Sequence, residues 1–330
     1  MGAYLIATDE AGYGPKLGPL VVAATAWHVD SQVLSDCTLQ GSLEDAFALL
    51  RHPVMHQGVK LVIDDSKAVY RPRSSGPEGG SLSKLTAAVG IAMNWVSDSP
   101  SLQVTQWIDS SDRRDIDATD WLGESCFEMH AESSVAVPEP WRTSSVRLFN
   151  VATRVITAGR FNQMIASGMN KSDVLSDATL GLVRQLLPKQ SSESPLPADD
   201  PIIVYCDRHG GRRYYASVLQ HVFGGELVRV MSESKHVSAY SVPYQGREFR
   251  ICFTVKGDRF TPVAYSSMIA KYLRERAMES FNAYFAEYHT GKQPLLPTAG
   301  YPVDADRFLE DVAAIIKRRK IKPVDLVRVR

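Results

Sequence analysis

Apolar residues fall in short runs near the start of the chain and in longer, helically spaced stretches farther on. Residues 4–8 form an apolar run that reads as a buried strand, and 20–27 (LVVAATAW) read as another. Between them lies EAGYGPKLGP, whose glycines and prolines mark a turn, so the two strands are predicted to form a hairpin. Residues 59–63 are a short apolar stretch ending at Asp64, Asp65, Ser66 and Lys67, and 71–81 read as a loop. Helical spacing covers 81–96, with Leu82, Leu85, Val89, Ala92 and Trp95 on one side. A strand is predicted over 146–157 and an amphipathic helix over 172–187, with Ser172 placed to cap it. A Pro/Ser/acid linker at 188–201 precedes a buried strand, 202–206, that stops at Asp207. Strands follow at 227–231 and 249–255, then a long helix over 264–285 and a last one over 305–317 leading into a basic tail. Strands first, then alternation of helix and strand, predict an α/β fold with a mixed sheet flanked by helices.

Composition narrows this little. Of the 330 residues, 44% are apolar and 22% charged, as in an ordinary globular protein. A formal net charge of zero argues mildly against a nucleic-acid binder but leaves room for a local basic stripe. Cys37, Cys126, Cys206 and Cys252 are far apart and form no C-x-x-C pair, so neither a zinc knuckle nor a disulfide framework is expected. No secretory leader or long apolar span is seen, and a cytoplasmic protein without membrane contact is expected. Residues 97–145 carry spaced acids (Asp109, Asp112, Asp115, Asp117, Asp120) without the offsets of a calcium loop, and a solvated acidic surface is expected there.

Two nucleotide motifs are excluded. GYGPKLG follows a strand, but G-x-G-x-x-G would need glycine where Leu17 stands, and a strand rather than a helix follows. No P-loop pattern occurs. A stronger signal is the set of carboxylates at strand ends: Asp9 and Glu10, Asp207, and Asp258 in VKGD. Any one alone reads more readily as an ordinary loop-end cap. Together they repel unless cations join them, and two divalent ions about 4 Å apart meet that need. The chemistry such a pair serves is in-line displacement at phosphorus. Successive strand residues point to opposite faces, so Asp9 and Glu10 share a site only if the chain twists between them.

TDEAGYGPKLGPLVVAA resembles the opening motif of the type 2 ribonucleases H, DEAGRGPxxGPVVxAA. The resemblance continues in Asp65-Ser66-Lys67, in 161–187, in VYCD ending at Asp207, in VKGDRFTPVAYSSMIAKYLRERAM and in Gly300-Tyr301-Pro302. These segments lie in family order and span most of the chain. The resemblance implies a ribonuclease H-like fold, a mixed five-stranded sheet with a C-terminal helical extension. It implies an endonuclease that hydrolyses the RNA strand of RNA–DNA hybrids, or cuts at ribonucleotides embedded in DNA, with Mg²⁺ or Mn²⁺ held by Asp9, Glu10, Asp207 and Asp258. Backbone groups of Gly12, Tyr13 and Gly14 would read the ribose 2′-hydroxyl, Lys67 would contact a phosphate, and Tyr301 would stack on the deoxyribose beyond the ribonucleotide.

The chain departs from the family pattern at several points. Tyr13 replaces an arginine, Arg208 follows Asp207 where glycine is usual, Glu275 stands for an aspartate, and Val303 follows the GYP turn. The expected organisation is a catalytic domain over 1–285, with an insertion at about 97–145, and an extension over 286–330; a monomer is expected. His209 is expected in a partly exposed loop. The tail residues Lys317, Arg318, Arg319, Lys320, Lys322, Arg328 and Arg330 either track a phosphate backbone or are solvated. Two rival readings are a non-catalytic nucleic-acid binder and a different metal nuclease on the same fold.

Overall fold

The computed structural model describes residues 2–30, 43–44, 46–56, 58–70, 81–97, 103–129, 136–142, 145–188 and 200–329; at His56, Lys67, Ala68 and Glu124 it describes the backbone only. Cys37, Arg330, and most of the loop expected at 71–81 and of the linker expected at 188–201 lie outside the described residues, as do parts of the insertion.

The first strands are β1 (Ala3–Ala11), β2 (Leu20–Val29) and a small separate hairpin, β3 (Val54–His56) and β4 (Val59–Leu61). Helices α1 (Ser66–Val69), α2 (Ser83–Val96) and α3 (Ser110–Asp117) precede β5 (Val146–Ile156). Then come α4 (Ala158–Ala166), α5 (Lys171–Leu186), β6 (Ile202–Asp207), α6 (Ala216–Val222), β7 (Arg229–Glu233), β8 (Val237–Tyr244) and β9 (Arg247–Thr254). Helices α7 (Thr261–Glu287), α8 (Pro302–Asp311), α9 (Ala313–Arg319) and α10 (Pro323–Leu326) complete the order.

The main sheet runs β5-β2-β1-β6-β9-β8-β7. β1 pairs antiparallel with β2 and parallel with β6, and β6 runs parallel to β9. The sheet is mixed and flanked by helices, as expected, but among the described residues it has seven strands rather than five. Toward its far edge lies β7, near the strand expected over 227–231, and between β7 and β9 runs β8, which sequence periodicity misses because VSAYSVPY mixes serine and proline with its apolar residues.

β1 is central and buried on both sides, which is why it reads as an unbroken apolar run. Leu5 and Ala7 join one core with Trp27, α2 and α7; Tyr4 and Ile6 join the other with α4, α5 and Phe253. α7 spans about 40 Å at the helical rise per residue and lies along β1. Its Ser266 hydroxyl donates to the Ala7 carbonyl at 2.9 Å and meets Thr25 Oγ1 at 2.9 Å. A third core of Leu17, Trp121, Phe281, Phe285, Phe308 and Ile315 gathers α8 and α9 against the second half of α7.

Other local expectations change. The helix expected over 172–187 is capped by Asn170, not Ser172, in a reciprocal box with Asp173. The single helix expected over 305–317 is two, broken at Val312. The acidic surface expected in the insertion is only partly one. Asp109 caps α3 through the Ser111 N–H, and Asp112 is buried, receiving Arg154 Nε and a second guanidinium nitrogen at 2.7 and 2.9 Å. Among the described residues no helix is long and apolar enough to cross a membrane.

Candidate active site

β1 and β6 end side by side. Their register pairs Thr8 with Cys206, so the next residues, Asp9 and Asp207, emerge together at the carboxyl ends of two parallel strands, where open α/β sheets place their ligands. Parity sets the faces. Asp9 and Asp207 share the α7 face with Leu5, Ala7, Ile203 and Tyr205, whereas Glu10 belongs to the α5 face with Tyr4 and Ile6. Glu10 nonetheless reaches the same point, because the strand stops one residue later and Gly12 turns the chain at φ +89°. One carboxylate oxygen from each of Asp9, Glu10 and Asp207 lies within 4.8 Å of the others.

The environment of this trio is electrostatically unfavourable for an unaccompanied anion. Asp9 is only 9% exposed. Burial, then Glu10, then Asp207, pushes its carboxyl well above the usual range, against the Ser267 hydroxyl and the Glu10 N–H that favour its charged form. The Glu10 N–H donates to Asp9 Oδ1 at 2.8 Å. Ser267 also hydrogen-bonds Ser66 at 3.0 Å, tying α7 to the start of α1. Three converging carboxylates are a hard oxygen donor set, and a divalent cation is the group that relieves their repulsion.

Asp258 stands outside that trio. It follows Gly257 in a single turn, Gly257–Arg259, entered through Lys256 at φ +60°. Gly257 donates its N–H to Asp207 Oδ1 at 2.7 Å. A Cβ at Gly257 would lie 3.0 Å from Asp207 Cα and 3.1 Å from Asp207 Oδ1, so the VKGD turn approaches Asp207 as closely as it does only with glycine there. Gly257→Ala should displace Asp207 by a few tenths of an ångström. It should lower the turnover of any reaction at this site by about tenfold with little change in melting temperature. Steady-state kinetics beside a thermal melt checks this.

The G-x-G loop is held from three sides. A Cβ at Gly12 would lie 2.5 Å from the Pro19 carbonyl oxygen and 2.7 Å from Arg274 Nε. The N–H groups of Lys16 and Leu17 donate to the Gly300 carbonyl at 2.7 and 3.1 Å, which brings the GYP turn against the loop. Tyr301 is half exposed beside Gly14. Tyr13 turns toward the 208–215 segment, under Lys171, whose Nζ is 4.7 Å from the ring centroid. Burial and Glu10 push its phenol up, and Arg212 opposes them. The backbone of Lys67 lies in α1, but its side chain is outside the described residues.

Glu275 is anchored by Tyr70, Lys271 and Arg274 at 2.9, 2.7 and 3.0 Å. Its burial is outweighed by those two cations and the hydrogen bonds, so its carboxyl sits below the usual range. His209 corrects an expectation: it is buried, not partly exposed, with Nδ1 2.9 Å from Ser176 Oγ. Burial, then Arg212, pulls its imidazole down to about 3, which leaves it neutral near pH 7 and unsuited to carry protons there. Sequence reasoning missed Ser267, although it lies in the segment after VKGD. It also missed Arg274 as a buried support of Gly12, and it offered Arg328 only within the basic tail, as a phosphate contact or a solvated cation, whereas Arg328 is buried.

No protein-family model matches the chain, and neither does any curated protein sequence. Solved structures do. A PCNA:RNase HII complex from Archaeoglobus fulgidus matches at 17% identity over 99% of this chain and 94% of that one, with a TM-score of 0.42. The ribonuclease H2 of Pyrococcus horikoshii OT3 matches at 15% identity over 98% and 92%, with a TM-score of 0.42. Bst-RNase HIII in complex with Mn²⁺ matches at 16% identity over 99% and 66%, with a TM-score of 0.39.

Proposed function

We propose that the protein is a metal-dependent endonuclease that hydrolyses the RNA strand of RNA–DNA hybrids. The observation that carries this reading is the convergence of Asp9, Glu10 and Asp207 within 4.8 Å at the mouth of the G-x-G loop. A non-catalytic binder would have no use for half-buried, mutually repelling carboxylates. Asp9, Glu10 and Asp207, joined by Asp258 from the adjoining turn, would hold Mg²⁺ or Mn²⁺. Bound there, two such ions supply activation of water and stabilisation of the leaving oxygen in an in-line displacement at phosphorus.

The chain's own residues do the rest. Ser267 and the Glu10 N–H orient Asp9, and the Gly257 N–H orients Asp207. The Gly12–Tyr13–Gly14 backbone is the element that would read a 2′-hydroxyl, the handle that separates RNA from DNA. Since the Gly12 carbonyl already accepts from Arg328, that reading falls to the remaining groups of the loop. Tyr301 offers a half-exposed ring beside Gly14 for stacking on the neighbouring sugar, and Lys67, on α1, is assigned a phosphate. Hybrid cleavage should require Mg²⁺ or Mn²⁺, vanish in EDTA and vanish in Asp207→Asn. Cleavage that persists in EDTA or in that variant would contradict the reading.

A further inference from the structure

The hairpin of β7 and β8 turns at 234–236, and its tip lies beside the carboxylate end of the site. The Val255 N–H donates to the His236 carbonyl at 3.0 Å, so the β8–β9 register, Val237 with Thr254, runs on and brings Lys235 and Lys256 to one corner. Thr254 is in turn paired with Asp207 across β6, which puts this corner one strand away from that carboxylate. Arg208, the residue after Asp207, ties the tip down. Its guanidinium donates to the carbonyls of Lys235 and Ser234 at 2.7 and 3.4 Å, and its N–H donates to the Thr254 carbonyl at 3.0 Å. The Ser234 hydroxyl closes the turn, donating to the Val237 carbonyl at 3.0 Å and accepting from the His236 N–H at 3.2 Å. The Ser238 hydroxyl donates to the Arg213 carbonyl at 2.7 Å, which fixes 213–214 against the same hairpin.

The tip is held firmly, yet its charged side chains lie in solvent. Arg213, Lys235, His236 and Lys256 are all exposed. No carboxylate among the described residues forms an ion pair with Arg213, Lys235 or Lys256. Glu233, the acid of β7, accepts instead from the Tyr240 hydroxyl at 2.5 Å. Like charges brought together at the end of a ladder are destabilising, so the fold alone gains nothing from two lysines at this corner. Tyr214 is 63% exposed, with the Arg213 guanidinium 5.8 Å from its ring centroid.

We propose that the β7–β8 tip, together with Arg213 and Tyr214, grips the sugar–phosphate backbone of the nucleic-acid strand that runs past the carboxylate trio. Three converging carboxylates repel a phosphodiester strand, and cations fixed one strand away offset that repulsion and anchor its phosphates. Tyr214 offers its ring to a sugar of the same strand. Exposed cations around an exposed aromatic ring are the footprint of such a surface. Contacts of this kind position the strand and carry no sequence information. That the strand belongs to an RNA–DNA hybrid rests on the nuclease reading; the surface itself rests on exposure, charge and its tie to Asp207.

The test uses the full chain and an RNA–DNA hybrid duplex. Binding is read across a salt series in EDTA, and cleavage is read separately with Mg²⁺ and Mn²⁺. Lys235→Gln and Arg213→Gln should each weaken binding about tenfold at low salt and each reduce the slope of log K against log salt by about one. Tyr214→Ala should weaken binding with the slope unchanged. Arg147 stands opposite His28, beside the start of β1 and so at the other end of the sheet. Arg147→Gln should leave affinity and slope as in the wild type, which separates a local contact from a loss of net charge. Equal affinity and slope in wild type, Lys235→Gln and Arg213→Gln, with the hybrid still cut, would overturn the surface and leave the nuclease reading standing. A slope that depends on Lys235 and Arg213 in a protein that cuts no hybrid would support the surface and remove the nuclease reading.

Discussion

Asp9→Asn is expected to abolish hybrid cleavage, by at least about a thousandfold, while leaving the metal-free protein as stable as the wild type or more so. The loss follows from removing the most buried oxygen donor of the trio; a metal-site contribution of several kcal/mol corresponds to a thousandfold or more in rate. The stability change has the opposite sign because Asp9 is a burden to the metal-free fold. Burial, Glu10 and Asp207 raise its carboxyl above the unfolded value. A group raised in the folded state contributes stability that is fully present below its unfolded pKa and is lost as pH rises through the folded one. Metal-free wild type should therefore lose stability as pH climbs from about 4 toward that raised value, and Asp9→Asn should flatten this part of the profile. Mg²⁺ or Mn²⁺ should raise the wild-type melting temperature near neutral pH and leave the variant unmoved. Melting curves with and without metal over a pH series check each part, and an equal metal response in both proteins would sink the assignment.

The largest effect on stability is expected two strands away from that trio, where Arg154 lies in register with Val22 and, through it, with Glu10. Arg154→Ala should cost about 3–5 kcal/mol, the range for stripping the partner from a buried charge. Asp112 would then be left 1% exposed, with only the Val155 N–H at 2.9 Å among the contacts described for its carboxylate. Burial raises the Asp112 carboxyl above its usual range while pairing raises the Arg154 guanidinium, so the two partners pull in opposite directions and the net contribution of the pair is small. Removing both partners with Asp112→Leu and Arg154→Met should recover most of the loss. The pair's role is then one of placement, fixing α3 of the insertion onto β5. Urea unfolding of the two variants separates these outcomes; a loss below about 1 kcal/mol in Arg154→Ala would mean the insertion is held by its apolar contacts alone.

What could be read from the sequence follows the physics of each element. β1, β2 and β6 were legible because strands buried on both faces leave unbroken apolar runs. The acids were legible as strand ends, although Asp9 and Glu10 lie inside β1 rather than beyond it. Their convergence was not, because it depends on Asp9 and Glu10 leaving opposite faces of a strand that stops at once. Nor was α4, which the apolar pattern left unassigned ahead of the helix expected over 172–187 and which ends at Gly168, φ +103°, before the Asn170 cap. Charged residues were the least legible. Asp112, His209 and Arg328 all carry surface chemistry in the sequence, and each is buried by a partner distant along the chain: Arg154, Ser176 and the Gly12 and Pro15 carbonyls.

The most direct measurement is cleavage of three matched duplexes by the wild-type chain with Mg²⁺ and with Mn²⁺: an RNA–DNA hybrid, a DNA duplex carrying one ribonucleotide, and the all-DNA duplex. A site that pairs the carboxylate trio with a 2′-hydroxyl-reading loop should cut the hybrid, with the half-exposed Tyr301 ring extending cleavage to the single ribonucleotide, and should leave all-DNA intact. Equal cleavage of the all-DNA duplex, or no metal-dependent cleavage of the hybrid, would contradict it.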